Sequence, residues 1–403
     1  LGRGDFKMKQ LFYRYNPWWD GEYNLEHLFP RPDTLEKLDK SVDIAEVTFI
    51  SGLRRVGKTT LLRMLIKSLI DERGVDPLSI FYISLDDYLL QGKNIPELID
   101  EYRKTVKKKF EEKIYLFFDE VTYFPDYEIQ LKNIFDSQNV KIFASSSSTS
   151  LIRDKKPYLT GRNRILEVDP LTFEEYLIFK GIELKHVDGH LTDVYFEEYL
   201  KSGGIPEFVK TGDFEYLKNL VDDIIMKDIS ALHNIKNTSS LKEMYLLLME
   251  RSGKSISLNK VANILGLSPD TVKRFLTYFE EAFLISTISK CGKTNQSILS
   301  LKKIYSVDLG LRNLFTGFRD KGSLFENYLF NKIKKYQPCY YAVDGYEIDF
   351  LIDKKVLIES KYHSDLVGKQ LDLFNNSDFK HKYLITSQRD LKSMMADLTT
   401  MVS

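Results

Sequence analysis

The segment Gly52-Leu53-Arg54-Arg55-Val56-Gly57-Lys58-Thr59 constrains the fold more than any other in the chain. It fits G-x-x-x-x-G-K-[ST]. It lies between a short apolar run, Val47 to Ser51, and a segment with apolar residues at helical spacing, Leu61, Leu62, Leu65, Ile66 and Leu69. A buried strand that passes through a glycine loop into a helix offers unpaired backbone N–H groups and the positive end of the helix to an anion. Gly52, Leu53, Arg54, Arg55, Val56, Gly57, Lys58, Thr59 and Thr60 are therefore the expected phosphate-binding residues. Lys58 would reach the β- and γ-phosphates of ATP, and the Thr59 hydroxyl would ligate Mg²⁺.

The pattern that follows alternates strand and helix. Ile80 to Ser84, Lys113 to Phe118 and Val140 to Ala144 are predicted strands; Ile95 to Phe110 and Tyr127 to Asp136 are predicted helices. Such alternation predicts an α/β fold, a parallel sheet covered by helices. The third strand runs into Asp119-Glu120, about 60 residues after the loop. Asp119 can hold Mg²⁺ through water, and Glu120 can orient or deprotonate an attacking water. After the fourth strand come Ser145 to Ser148, which allow either a γ-phosphate sensor or a serine loop. Arg162 could stabilise phosphoryl charge in its own chain or in a neighbour's site, or be structural. Arg54 and Arg55 could face phosphate, a partner domain or solvent.

A length of 403 residues suggests two or three domains. Helical patterns replace strands after about Asp169, and mixed patterns return toward the end. The expected segments are 1–168, an N-terminal strap and P-loop core; 169–235, a helical lid; 236–314, a winged helix-turn-helix; and 315–403, a further α/β module. The only cysteines, Cys291 and Cys339, have no CxxC spacing, which excludes a cysteine zinc site and a disulfide scaffold and makes a reducing cytoplasm the expected setting. No apolar run nears the length of a membrane span, so no membrane partner is expected. Leu1 to Lys7, ahead of Met8, lack the apolar core of a signal peptide.

The 58 basic and 58 acidic residues cancel, which excludes a uniformly basic chain. The cancellation is uneven: residues 236–403 hold 25 Lys+Arg against 18 Asp+Glu, a net +7, and residues 1–235 carry −7. A local patch in the C-terminal half therefore remains open to a polyanion such as DNA. Within it, Leu258 to Leu265, a Gly266 turn and Asp270 to Ala282 read as a helix-turn-helix, with Ser268 and Pro269 starting the second helix. Leu267 and Val272 would pack inward and leave Thr271, Lys273 and Arg274 for a DNA groove, or for a protein partner.

Further on, Glu326 lies on an amphipathic helix. Glu347 to Ile352 and Val356 to Lys361 alternate as two strands of a hairpin. Period two puts Glu359 and Lys361 on one face, and the hairpin brings Asp349 to them. This is the chemistry of a metal-dependent nuclease: Asp349 and Glu359 as ligands of Mg²⁺ or Mn²⁺, Lys361 beside the water, Glu326 completing a second site. A structural salt network is the alternative. The D…E-x-K spacing resembles the restriction-endonuclease fold. Glu347 shares the face of Asp349 without an assigned role, and the six histidines do not cluster.

Gly52 to Thr60, Phe118-Asp119-Glu120, the stretch Ser145 to Arg162 and Asp169-Pro170-Leu171-Thr172-Phe173 resemble a group of archaeal and bacterial AAA-type P-loop ATPases of largely undefined role. The resemblance continues in Gly203-Gly204-Ile205-Pro206, Lys227-Asp228-Ile229 and Tyr305 to Gly310, so it spans nearly the whole chain. In that group a glycine usually stands where this chain has Ala144. The resemblance implies an AAA-type core with a helical lid, a winged helix and a C-terminal restriction-endonuclease-like region. It implies ATP hydrolysis that moves modules which bind DNA or cut it, with a homo-oligomer or protein partner at the site. A slow nucleotide-controlled switch, using the winged helix for protein contacts and holding a silent nuclease-like module, is the alternative.

Overall fold

Strand β1 (Val47–Ser51) is buried along its whole length, as a run of five residues rich in β-branched and aromatic side chains requires. The computed structural model describes residues 3–21, 29, 31–148, 161–295 and 300–401. The chain divides into two compact units, Leu1–Asp169 and Pro170–Ser403.

In the first unit, β1 is joined by β2 (Ile80–Ser84), β3 (Ile114–Asp119), β4 (Val140–Ser146) and β5 (Asn163–Glu167) in a sheet of order β2-β3-β4-β1-β5. Every pairing is parallel. Strand β1 is the topological switch point, because the chain leaves it for one side of the sheet and returns on the other. In such sheets ligands sit beyond the carboxyl ends of the strands at that point. The fifth strand was not expected: its residues are largely half-exposed and polar, so they carry no buried run.

The N-terminal residues expected as a strap form a helix, α1 (Arg3–Tyr15), which buries Leu11 and Phe12. Behind it, Asn16 closes the open edge of β2. Its Nδ2 donates to the Tyr82 carbonyl at 2.8 Å, and its Oδ1 accepts from the Tyr82 N–H at 2.7 Å. The Trp18 and Trp19 indoles both donate to the Ile80 carbonyl. An edge strand otherwise offers unpaired groups for aggregation. Helices α2 (Pro32–Lys40), α3 (Lys58–Asp71), α4 (Ile95–Val106) and α5 (Tyr127–Ser137) complete the unit.

The second unit opens with helices α6 (Phe173–Phe179), α7 (Thr192–Ser202), α8 (Pro206–Thr211) and α9 (Phe214–Asp223), the last continued by a π-helical stretch, Ile224–Ser230. Next come α10 (Thr238–Glu250), β6 (Ser255–Ile256), α11 (Leu258–Leu265), α12 (Pro269–Glu281), β7 (Ile285–Ile288) and β8 (Lys302–Ser306), with an antiparallel sheet of order β6-β8-β7. Helices α13 (Leu309–Thr316) and α14 (Lys321–Ile333) lead to β9 (Cys339–Val343), β10 (Tyr346–Ile352), β11 (Val356–Ser360), α15 (Gly368–Asn376), β12 (His381–Ile385) and α16 (Gln388–Met401). The second sheet of this unit has order β12-β11-β10-β9, antiparallel except where β11 meets β12.

The three segments expected as separate modules share one core here. Phe173, Tyr176, Phe196 and Tyr199 of the helical segment pack in one cluster with Tyr305, Phe325, Tyr328 and Phe350. The Asp308 carboxylate ties the same segments, accepting from the Gly204 N–H at 2.6 Å and the Leu311 N–H at 3.0 Å. A Cβ on Gly203 would lie 2.4 Å from the Gly310 nitrogen, so this close approach demands glycine. The two cysteines are corrected as well: a disulfide joins Cys291 to Cys339 across 48 positions. Residues 149–160, part of the family-like stretch, lie outside the described residues.

Candidate functional sites

The phosphate-binding loop is closed onto its own sheet. The Val168 N–H donates to the Ser51 carbonyl at 2.7 Å, and a Cβ on Gly52 would fall 2.3 Å from the Val168 oxygen, so only glycine fits there. Gly57, with φ at 101°, caps the start of α3. Lys58 is the first residue of that helix and is buried; its Nζ donates to the Gly52 and Leu53 carbonyls at 2.9 and 3.1 Å. Thr59 and Arg55 are exposed, and Arg54 is half-buried.

Asp119, the last residue of β3, meets this loop. The Thr59 hydroxyl donates to Asp119 Oδ2 at 2.6 Å, and the Tyr82 hydroxyl donates to the same oxygen at 2.8 Å. Ser145 Oγ donates to Asp119 Oδ1. Burial first, and the Asp119 charge second, push the Tyr82 phenol far above its ordinary range, so it remains a donor. The Glu120 N–H donates to Ser145 Oγ at 3.0 Å, and the Ser147 hydroxyl donates to Glu120 Oε2 at 3.3 Å. Of the two roles open to the serine cluster, this wiring of Ser145 and Ser147 to the acidic pair places them in the site. Tyr82 escaped the sequence reading; its signal is a tyrosine inside a buried apolar strand, whose hydroxyl needs a partner. A hydroxyl and a carboxylate 2.6 Å apart at the mouth of a phosphate loop fit Mg²⁺ held by Thr59, with Asp119 behind a water.

Of the roles open to Arg162, stabilising phosphate in its own chain is excluded. The residue sits at the opposite end of the sheet, where its carbonyl accepts from the Val47 N–H at 2.8 Å and its Nε lies 3.2 Å from Asp136 Oδ1. The length of β1 separates it from the loop by roughly 15 Å. It cannot reach a phosphate bound in its own chain.

In the second unit, Glu326, Asp349, Glu359 and Lys361 do come together, joined by Glu347. Lys361 Nζ lies 2.8 Å from Glu359 Oε1, and the Asp349 N–H donates to Glu359 Oε2 at 3.0 Å. A residue absent from the sequence reading holds the centre. Lys303 of β8 is almost fully buried, and its Nζ lies 2.7 Å from Glu326, 2.8 Å from Glu347 and 3.2 Å from Asp349. Tyr305, two residues on and on the same strand face, donates to Glu326 Oε1 at 2.8 Å. Burial alone would lower the Lys303 pKa, but Glu326, Asp349 and Glu347 raise it well above its ordinary value. Burial, then the Asp349 charge, lift Glu326 to about 7 and Glu359 to about 8.

This arrangement corrects the expected metal ligands. Among the described residues, no group of three or more His, Cys, Asp or Glu side chains is placed to hold a metal ion. The reason lies in the cluster itself: the oxygens of Glu326 and Asp349 that would face a metal face an ammonium, and Glu359 is engaged by Lys361 and Gln370.

On the helix-turn-helix, Ser268 caps α12, Val272 is buried and Leu267 half-buried, while Lys273 and Arg274 are exposed. Arg274 donates to Thr271 Oγ1 at 3.4 Å. No described helix is long and apolar enough to cross a membrane.

Residues 45–177 match a family model described as an AAA domain, and residues 194–322 match one described as a domain of unknown function, DUF8612. The chain is similar to the uncharacterized protein MJ1544 of Methanocaldococcus jannaschii, 28% identical over 351 residues, covering 81% of this chain and 77% of that protein. It is also similar to an uncharacterized protein of Haemophilus influenzae, 26% identical, covering 81% of this chain and 84% of that one. Among solved structures, the Walker-type ATPase PABY2304 of Pyrococcus abyssi aligns with a TM-score of 0.45 and 17% identity, over 73% of this chain and 97% of that one. The parallel sheet, the phosphate loop and the AAA match define an AAA-type P-loop core in the first unit.

Proposed function

We propose that this chain is a Mg²⁺-dependent, ATP-hydrolysing AAA-type ATPase whose C-terminal unit contacts DNA. The convergence of Lys58, Thr59, Asp119 and Glu120 at the carboxyl ends of β1 and β3 carries the first part. The backbone N–H groups of the loop and the start of α3 would bind the phosphates. Lys58 would exchange its two carbonyl partners for phosphate oxygens. Thr59 and Asp119 would hold Mg²⁺, which supplies charge neutralisation on the β- and γ-oxygens. Glu120, positioned by Ser147, would accept a proton from water as that water's oxygen bonds to the γ-phosphorus and the bridge to the β-phosphate breaks.

DNA contact is supported by the net +7 of residues 236–403 and by Lys273 and Arg274, exposed on the second helix of a helix-turn-helix that we read as part of a winged helix. The four-stranded sheet bearing Asp349 and Glu359 we read as restriction-endonuclease-like. The test is ATP turnover with and without duplex DNA. Lys58→Ala should lower turnover by about 100-fold or more, and DNA should raise the wild-type rate. Undiminished turnover in Lys58→Ala would refute the ATPase assignment.

One observation favours a second reading, a slow nucleotide-controlled switch with a silent nuclease-like module: the ammonium lodged among the carboxylates. Tight ATP binding with negligible turnover and no DNA effect would select it.

A further inference from the structure

We propose that Lys303 is the built-in cation of the C-terminal carboxylate cluster, so that this module takes no catalytic divalent metal and fastens the helix-turn-helix segment to the four-stranded sheet instead of cutting nucleic acid. The proposal rests on the silent-module half of the second reading. It rests on nothing at the P-loop.

An ammonium has three N–H donors and no acceptor. Here the ammonium donates to Asp349 Oδ1 at 3.2 Å and lies within ion-pair distance of Glu326 at 2.7 Å and Glu347 at 2.8 Å. The residue is 1% exposed, so water has little access to replace any of them.

The remaining oxygens of Asp349 and Glu359 are also engaged. Asp349 Oδ2 accepts from the Ser360 N–H at 3.0 Å and the Ser360 hydroxyl at 2.8 Å. Glu359 Oε2 accepts from the Asp349 N–H at 3.0 Å, while Glu359 Oε1 faces Lys361 and Gln370, each at 2.8 Å. A divalent ion needs oxygens at about 2.0–2.1 Å for Mg²⁺ or about 2.3–2.6 Å for Ca²⁺. It would have to draw these groups inward and expel the ammonium.

The strand pairing fixes the Lys303 backbone. Lys303 lies in the central strand of its sheet, opposite Ser255 of β6 on one side and Ile288 of β7 on the other. Its three partners come from α14 and β10. One buried side chain therefore bridges two sheets in the way a structural metal would, and it does so without a site to load. The Lys290–Tyr340 bridge and the neighbouring disulfide fasten the same two segments.

Mn²⁺ binding to the purified full-length protein without nucleotide tests this, read by the paramagnetic resonance of free Mn²⁺. The Thr59→Ala background removes any P-loop contribution. We expect no Mn²⁺ site tighter than about 1 mM in that background, and no change on adding Asp349→Asn. Lys303→Met, which exposes three carboxylates, should gain Mn²⁺ affinity by about tenfold or more, and Asp349→Asn should cancel the gain. A Mn²⁺ site in the Thr59→Ala protein that Asp349→Asn weakens about tenfold overturns the proposal. So does a folded Lys303→Met protein with no gain. If Lys303→Met does not fold, the Asp349→Asn comparison decides alone. ATP turnover plays no part in these readings, so failure here and failure of the ATPase assignment are separable.

Discussion

Two of the three lysines buried among the described residues, Lys58 and Lys303, have partners that differ in kind. Lys58 donates to two neutral backbone carbonyls at the mouth of a glycine loop, next to an exposed threonine. Lys303 is held by three carboxylates, Glu326 and Asp349 largely buried and Glu347 half-exposed. A carbonyl is a weak partner that a phosphate oxygen can replace with gain, because a charge-assisted hydrogen bond is roughly twice as strong as a neutral one. A buried ammonium ringed by carboxyl groups cannot be traded for a ligand without leaving buried charge unpaired. The same residue type is thus a binding group in one unit and a structural one in the other.

The comparison can be broken most severely through stability. Lys303→Met should destabilise the second unit by about 3–5 kcal/mol, since it strands buried carboxylates. Lys58→Ala should leave the first unit's stability almost unchanged. Hydrogen–deuterium exchange of β8, β10 and β11 against that of β1 and β3 reads both effects; equal protection losses would erase the contrast.

A smaller effect sharpens it through pH. Burial raises the Asp308 carboxyl from 3.8 to about 6 against the pull of the N–H groups it accepts from. Between those values the folded chain holds a proton that the unfolded chain has released. The Asp308 contribution to the unfolding free energy should therefore fall as pH rises through that window and level off above about 6, a loss of at most about 3 kcal/mol. Urea unfolding across pH 4 to 7 should show the slope, and Asp308→Asn should remove this contribution to it.

The smallest effect concerns Arg162. Because it pairs with Asp136 at the far end of the sheet, Arg162→Ala should change the turnover of isolated chains less than about threefold. A loss that appears only in mixtures of wild-type and Lys58→Ala chains would instead place Arg162 in a neighbour's site.

Much of the first unit was legible because its signals are short-range. The spacing from Gly52 to Thr59, the buried runs of β1 to β4 and the acidic pair after β3 are each set within a few residues. The fifth strand was missed because Asn163–Glu167 is half-exposed and alternates poorly. Helix α1 was missed behind the aromatic and proline residues that follow it. In the second unit, period two brought Glu359 and Lys361 onto one face and the hairpin brought Asp349 beside them. Lys303 was invisible for a different reason. Its only local mark is a lysine sharing a strand face with Tyr305, and an inward lysine in a short strand looks the same as one on an exposed edge.

By itself, the sequence determined where a phosphate loop must form and which carboxylates could converge, since strand and helix periods act over neighbouring residues. Only the tertiary structure decided what those carboxylates face. Whether Glu326, Glu347 and Asp349 meet a metal or an ammonium depends on β8 packing against β10 and α14, and that packing is chosen by the shared aromatic core around Tyr305, Phe330 and Phe350. Apolar burial places the backbone. The buried charges must then find their opposites, because leaving any one of them unpaired costs several kcal/mol.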